Sequence, residues 1–394
     1  MAGGSILPKR IFITVGETSG DNNAAKLVRA LKLLDPTIEI SGFGGPAMAR
    51  EGAKILYETT AKAAMTFHAL KRVFEFKRLL KQANEIYRDP ARRPDLQICV
   101  DSSGVNLHFA RAAKVAGIPV LYYVAPQLWA SRPGRIKQVR RDVDRVASIF
   151  PFEAKWYQDR GVNATFVGHP LFDDLQVDPS LKPDPAKFPT IGIVPGSRVS
   201  EVKANLPHMV DVAEAIRKTF SDVRFRMPTT KATDLIARLI AGPGLGQPPY
   251  IAGAMNDHNT LVRQDGFEQL IPQCDLVITK SGTSTVHTAA FGVPMIVVYR
   301  VNPILWHLFG KWLIKTKKIA MVNILAGQID LVPEIIPWHG SNQPVADLAI
   351  DLLKHPEKLK DQRIKLRELM TPLSIPGASM NVAKMALDMM RGSG

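Results

Sequence analysis

A carboxylate that closes an apolar run is well placed to take a proton from a substrate. The stretch LQICVDSSGVN (96–106) carries one, Asp101, with small polar residues and Asn106 behind it. Such an acid is either a general base at the mouth of a sheet or a turn-former, and composition weighs the two equally. Two other stretches have anion-binding character. In IVPGSRVSEV (193–202), Gly196 permits close backbone approach, Ser197 can donate to a phosphate, Arg198 can grip one bidentately, and Glu201 stands at helix-start spacing. In TKSGTSTVHTAAFGVP (279–294), Ser281, Gly282, Thr283 and Ser284 offer hydroxyls and backbone donors at a helix N-terminus. One such loop would be ordinary capping; two favour a phosphate-bearing ligand. FITVGETSGDNNAAKL (12–27) is a strand, a turn and a helix, with Ser19 or Asp21 as a cap or part of an anion site.

Other signals are weaker. GFGGPA (42–47) fits a dinucleotide-loop pattern, but Pro46 stiffens it and no acid ends a strand about 20 residues on, so packing is the better reading. SEVK (200–203) lacks the partner motif of an acylating serine, and no P-loop, H-E-x-x-H or G-x-S-x-G occurs. His169 in FVGHP reads as structural. Cys99 and Cys274, each in an apolar run, read as buried thiols of a reducing compartment, with no metal-ligand spacing.

The elements that must hold these residues alternate along the chain. RIFITVG, IEISGFGG, DLQICVD, PVLYYVA and RVASIFP are short apolar runs between helical stretches, as are TIGIV, DVRFRMPT, DLVITK and PMIVVYR further on. Continuous β-rich runs between helices predict parallel sheets covered on both faces. Four prolines between Asp173 and Thr190 mark a linker. The expectation is an α/β chain of two doubly wound domains, 1–172 and 190–343, with a linker at 173–189 and a helical segment at 344–394. Ligands of such sheets lie beyond the carboxyl ends of strands, and two facing domains make a cleft.

The 394 residues carry a formal net charge of +15, which favours anionic partners without choosing among them. Two stretches mix apolar and basic residues. One has Met65, Phe67, Leu70, Val73 and Phe74 beside Lys71, Arg72, Lys77 and Arg78; the other has Trp306 and Trp312 beside Lys311 and Lys315. Either can lie on an anionic bilayer or pack on a core with a solvated basic side. No run is long enough to span a membrane, the start is too short in apolar residues for a secretory signal, and no nucleic-acid motif accompanies the charge.

Read in order, GETSGD (16–21), GPAMAREG (45–52), VDSSGVN (100–106), the segment 122–146 with APQLWA, FPFEAKWYQDRGVNATFVGHP (150–170), PGSRVSEV (195–202), the segment 281–300 and KWLIKTKKIAMVNILAG (311–327) resemble the lipid-A-disaccharide synthase family, glycosyltransferases of the two-domain B type. The resemblance implies an active site between two Rossmann-like domains. It implies transfer of a 2,3-diacylglucosamine from UDP to 2,3-diacylglucosamine 1-phosphate, with inversion and a β-1,6 link. The UDP-sugar is then a substrate, with no cofactor and no metal. It implies work at the cytoplasmic face of an anionic inner membrane and hints at a homodimer with exchanged C-terminal segments. Residue by residue, Asp101 falls on the family's proposed general base and Arg198 on its pyrophosphate-side arginine. Asn323 falls on its NLLAG asparagine, and Glu17, Ser19, Gly20 and Asp21 on its N-terminal loop. The family's DAPDFN is DSSGVN here, with Asn106 kept but Gly104 at the second acid, and its SGTAALE glutamate is His287. Those departures leave open a paralogue using another UDP-sugar, or a non-catalytic nucleotide-sugar or lipid binder.

Overall fold

A computed structural model describes residues 8–60, 69–175, 188–230, 233–234, 260–300 and 316–391. The chain divides into two units, Met1–Leu175 with Leu373–Gly394, and Gln176–Pro372.

The first unit is a parallel sheet of β1 (Arg10–Val15), β2 (Glu39–Gly44), β3 (Lys54–Glu58), β4 (Leu96–Val100), β5 (Val120–Tyr123), β6 (Arg145–Ser148) and β7 (Ala164–Phe166), in the order β3-β2-β1-β4-β5-β6-β7. The central strands β4 and β5 are buried along their whole length, which is why they read as unbroken apolar runs rather than as alternation. Helices α1 (Thr18–Leu34), α2 (Pro46–Arg50), α3 (Ala69–Arg88), α4 (Ser103–Val115), α5 (Ile136–Asp142) and α6 (Pro151–Gln158) connect the strands. Phe12, Phe43, Tyr87, Phe109 and Tyr122 anchor one core beneath them.

The second unit repeats the plan with β8 (Thr190–Val194), β9 (Arg224–Thr229), β10 (Thr260–Gln264), β11 (Leu276–Lys280), β12 (Met295–Arg300) and β13 (Glu334–Trp338), ordered β10-β9-β8-β11-β12-β13. Its long helix α7 (Val199–Thr219) buries Leu206, Met209, Val210 and Ala213 against Ile191, Ile193 and Phe225. In each sheet the strand order reverses once, between β1 and β4 and between β8 and β11. A loop leaving such a point faces an open crevice.

Two expectations change. Ser19, Gly20 and Asp21, expected in a turn and loop after the first strand, form the first turn of α1, which begins at Thr18. The segment expected as one piece, 344–394, is shared: the helices Gln343–Lys354 and Pro356–Met370 belong to the second unit, and Ala378–Arg391 packs on α1 of the first. The physical reason is Asp173, expected to start the linker. Its Oδ1 accepts from the backbone N–H groups of Gly377 and Ala378, both at 2.8 Å, and its Oδ2 from Ser379 at 2.9 Å, capping the last helix. Among the described residues no helix is long and apolar enough to cross a membrane.

Candidate active site

Asp101 follows β4 directly. It and Ser102 both adopt left-handed backbone, with φ of 55° and 48°. Residues hold that conformation only when their surroundings over-determine it, and here they do. Asn106 is fully buried and its amide nitrogen donates to the carbonyls of Thr14 (3.1 Å), Val100 (2.9 Å) and Asp101 (2.9 Å). The Tyr122 hydroxyl donates to the Asp101 carbonyl at 2.7 Å, and the Asp101 N–H donates to Tyr123 O at 3.0 Å. The backbone is therefore clamped from three sides. The carboxylate is partly exposed, accepting from the Ser102 N–H at 2.6 Å and standing 3.5 Å from the Ser19 hydroxyl.

The end of β1 packs on this loop. A side chain at Gly16 would meet Ser102 Oγ at 2.6 Å, and one at Gly20 would meet Val15 at 2.8 Å. Glu17 precedes α1 and its carbonyl accepts the Asp21 N–H at 3.0 Å. Asp21 itself is committed elsewhere. It is 2% exposed, and it accepts from the N–H groups of Gly45 (2.9 Å), Ala47 (2.9 Å) and Met48 (3.2 Å), capping α2. The GFGG turn is thus filled by the protein's own carboxylate, in line with the packing reading. Gly104 is exposed, and among the described residues nothing lies within 4 Å of where a side chain would begin.

In the second unit, β8 pairs with β11 through Val194 and Thr279, so the loops Pro195–Arg198 and Ser281–Thr283 emerge side by side. Glu201, in the first turn of α7, accepts from the N–H groups of Ser197 (3.2 Å) and Arg198 (3.4 Å). Gly196 has φ 131°, and a side chain there would strike Glu201 Cβ and Oε2 at 2.6 Å. Lys280, at the end of β11, places its ammonium 2.9 Å from Glu201 Oε1, while the exposed guanidinium of Arg198 stands at 3.5 Å. Burial disfavours the Glu201 charge, but Lys280, with Arg198, outweighs it and holds the carboxyl below its ordinary range. Lys280 was not among the sequence candidates. The one signal for it was a cation closing an apolar strand just before the Ser-Gly-Thr turn.

The other loop divides. Thr283 is exposed at the start of the helix Thr283–Ala290, next to Gly282. Ser281 turns inward, its N–H bonded to Val298 O (2.9 Å) and its hydroxyl to Ile319 O (3.3 Å). His287 is stacked between Phe267 and Phe291, with ring centroids at 4.4 and 5.4 Å, and its Nε2 lies 3.7 Å from Glu268. Asn323 is fully buried, exchanging two 2.9 Å hydrogen bonds with the Val332 backbone. The structure thus gathers Gly196, Ser197, Arg198, Glu201, Gly282, Thr283 and Lys280 into one cationic mouth. It assigns Ser281 and Asn323 to holding the chain together.

Of the apolar–basic stretches, Val73 and Phe74 lie on α3, 50% and 71% exposed. Leu70 is on the same helix, with its side chain outside the description; Met65, Phe67, Trp306 and Trp312 lie outside the described residues.

Comparison with known proteins now decides the family. Residues 11–381 match the family model for lipid-A-disaccharide synthetase. The chain is 35% identical over 392 residues to the lipid-A-disaccharide synthase of Geobacter sulfurreducens, covering 97% of each, and 36% identical over 396 residues to that of Anaeromyxobacter sp., covering 98% of each. The chain belongs to the lipid-A-disaccharide synthetase family. It is a glycosyltransferase of lipid A disaccharide synthesis, and the alternative readings are not favoured. Among solved structures, the S. aureus MnaA–UDP co-structure aligns with a TM-score of 0.62 at 14% identity over 97% of each chain. Acinetobacter baumannii MurG aligns at 0.57 and 15%, over 97% of this chain and 100% of that one. At such identities the likeness supports the fold: the lipid-A-disaccharide synthetase family member has the B-type glycosyltransferase architecture.

Proposed function

We propose that the protein moves a 2,3-diacylglucosamine from UDP to the 6-hydroxyl of 2,3-diacylglucosamine 1-phosphate, with Asp101 as the base. The observation that carries this is the clamped backbone of Asp101 at the reversal point of the first sheet, which presents one carboxylate and leaves it partly exposed. In this mechanism Asp101 takes the hydroxyl proton as the oxygen attacks the anomeric carbon. The carbon–oxygen bond to the diphosphate breaks, and its electron pair leaves with UDP. A single displacement inverts the centre. The charge that builds on the diphosphate is met by Arg198, Lys280 and the N–H groups opening α7, groups already oriented before reaction. The UDP-sugar is a substrate, and this route uses no cofactor or metal. The acylated acceptor places the enzyme at the cytoplasmic membrane face.

Purified protein incubated with both substrates on anionic vesicles should form the disaccharide phosphate. Asp101→Asn should lower kcat by about 100-fold or more while thermal unfolding stays unchanged. Product formed at the parent rate would take Asp101 out of the mechanism; no product from the parent protein would end the proposal.

A further inference from the structure

A second group of side chains stands at the same sheet edge as Asp101 and is unused by the mechanism above. β5 ends at Tyr123 and the chain turns at Val124, whose φ of 54° is rare for a β-branched residue. The loop that follows is pinned by a hydrogen bond from the Tyr157 hydroxyl to the Pro126 carbonyl and by buried Leu128. It delivers Trp129. The indole N–H donates to Glu153 Oε1 at 3.1 Å, and the ring meets Phe152 edge-on, with centroids 4.9 Å apart at 77°. Phe152 in turn stacks on buried Phe150 at 5.9 Å. Glu153 is only 1% exposed, and among the described residues its Oε2 has no hydrogen-bond partner. Burial pushes its carboxyl up to about 8, the indole N–H and the Ile149 backbone offsetting only part of that.

An acid buried at such cost to fix one indole makes sense if the position of that ring matters. A tryptophan serving only as filler would be enclosed, yet Trp129 and Phe152 both keep part of their surface exposed. Strand register aligns Val100, Tyr123 and Ala147. Neighbouring strands are about 5 Å apart, so Asp101, the Trp129 loop and the start of α6 leave one edge in consecutive places.

We propose that Trp129 is a stacking platform for the pyranose ring of the acceptor, with Glu153 and Phe152 as positioning residues that hold the indole. This rests on the reading of Asp101 as the base for that acceptor. A pyranose presents polarised C–H groups on one face, and the negative face of an indole attracts them. A ring fixed in advance loses little freedom on binding. Stacking also sets the rotation of the sugar, and with it the direction of the attacking hydroxyl.

The test uses two probes, glucosamine 1-phosphate and its 2,3-diacyl form, titrated calorimetrically into the full-length protein, with acceptor and donor KM measured alongside. Trp129→Ala should weaken both probes about tenfold and raise the acceptor KM to match, leaving UDP affinity within twofold. Trp129→Phe should restore most of the binding, which a purely structural loss would not do. Glu153→Gln, which keeps an acceptor for the indole, should stay near the parent, and Glu153→Leu should raise the acceptor KM more than it lowers kcat. Unchanged probe affinity in Trp129→Ala overturns the platform. So does a loss confined to the acylated probe, or a parent protein that binds neither. A parent that binds both probes through Trp129 but transfers nothing would overturn the reaction and leave the platform standing.

Discussion

Glu201 is a carboxylate at the mouth of the proposed diphosphate site, and its partners explain why it is there. It ties down two backbone N–H groups of its own loop and holds Lys280 across from the neighbouring strand, so the ammonium is already in place when a diphosphate arrives. Charge-assisted hydrogen bonds are worth roughly 1.5–3 kcal/mol. Lys280→Met should therefore weaken UDP binding by about tenfold or more in calorimetry and reduce its sensitivity to salt; unchanged affinity would remove Lys280 from the donor site. At this scale the sequence was legible where the chemistry is contiguous. Gly196, Ser197, Arg198 and Glu201 sit in one short run, and the fold keeps them in contact. Lys280 escaped because its partner is 79 residues away. Asp21 and Asn323 show the converse: the first accepts three backbone N–H groups and the second exchanges two hydrogen bonds with Val332. A polar residue beside glycines looks the same whether it faces a ligand or a backbone, and only the fold shows that both are fully engaged with the chain.

Elements explain a second behaviour, because two buried titratable groups meet along one edge of the first sheet. α6 carries Glu153, and the turn after β7 carries His169, whose ring packs on Phe150 with centroids 5.3 Å apart. Burial drives both toward neutrality, Glu153 up to about 8 and His169 down to about 4. The unfolded chain releases the Glu153 proton from its ordinary value of 4.5 upward while the folded chain keeps it, so stability falls as pH rises toward 8. Below its ordinary value of 6.5 the unfolded chain protonates His169 and the folded chain does not, so stability falls again toward 4. Each step runs at roughly 1.4 kcal/mol per pH unit at most. Denaturation series should show greatest stability at mildly acidic pH, and Glu153→Gln should lose the alkaline slope, about 2 kcal/mol between pH 6 and 8. An unchanged slope would mean that Glu153 is not held neutral. The sheets themselves were readable because central strands are unbroken apolar runs. The four edge strands β3, β7, β10 and β13 were not, lacking an unbroken apolar run or having only three residues.

For the whole molecule, a charge of +15 says only that anions are attractive; where apolar surface accompanies it decides which anion. Phe74 is 71% exposed and Val73 is 50% exposed on α3, a helix that also exposes Lys77, Arg78 and Lys81 while burying Leu79 against the core. That pairing fits a lipid surface better than a nucleic acid, which would take the cations and leave the ring in water. Each basic residue near an anionic bilayer contributes about 1 kcal/mol, and sinking one phenylalanine contributes about 2 kcal/mol. The two contributions respond differently to salt, because only the first is screened. Phe74→Asp should therefore reduce the fraction of protein co-sedimenting with phosphatidylglycerol vesicles by about tenfold or more, and the loss should persist at high salt. Lys77→Gln with Arg78→Gln should reduce it at low salt and make little difference at high salt. Equal binding by Phe74→Asp and parent at both ionic strengths would show that the exposed face of α3 does not meet the bilayer.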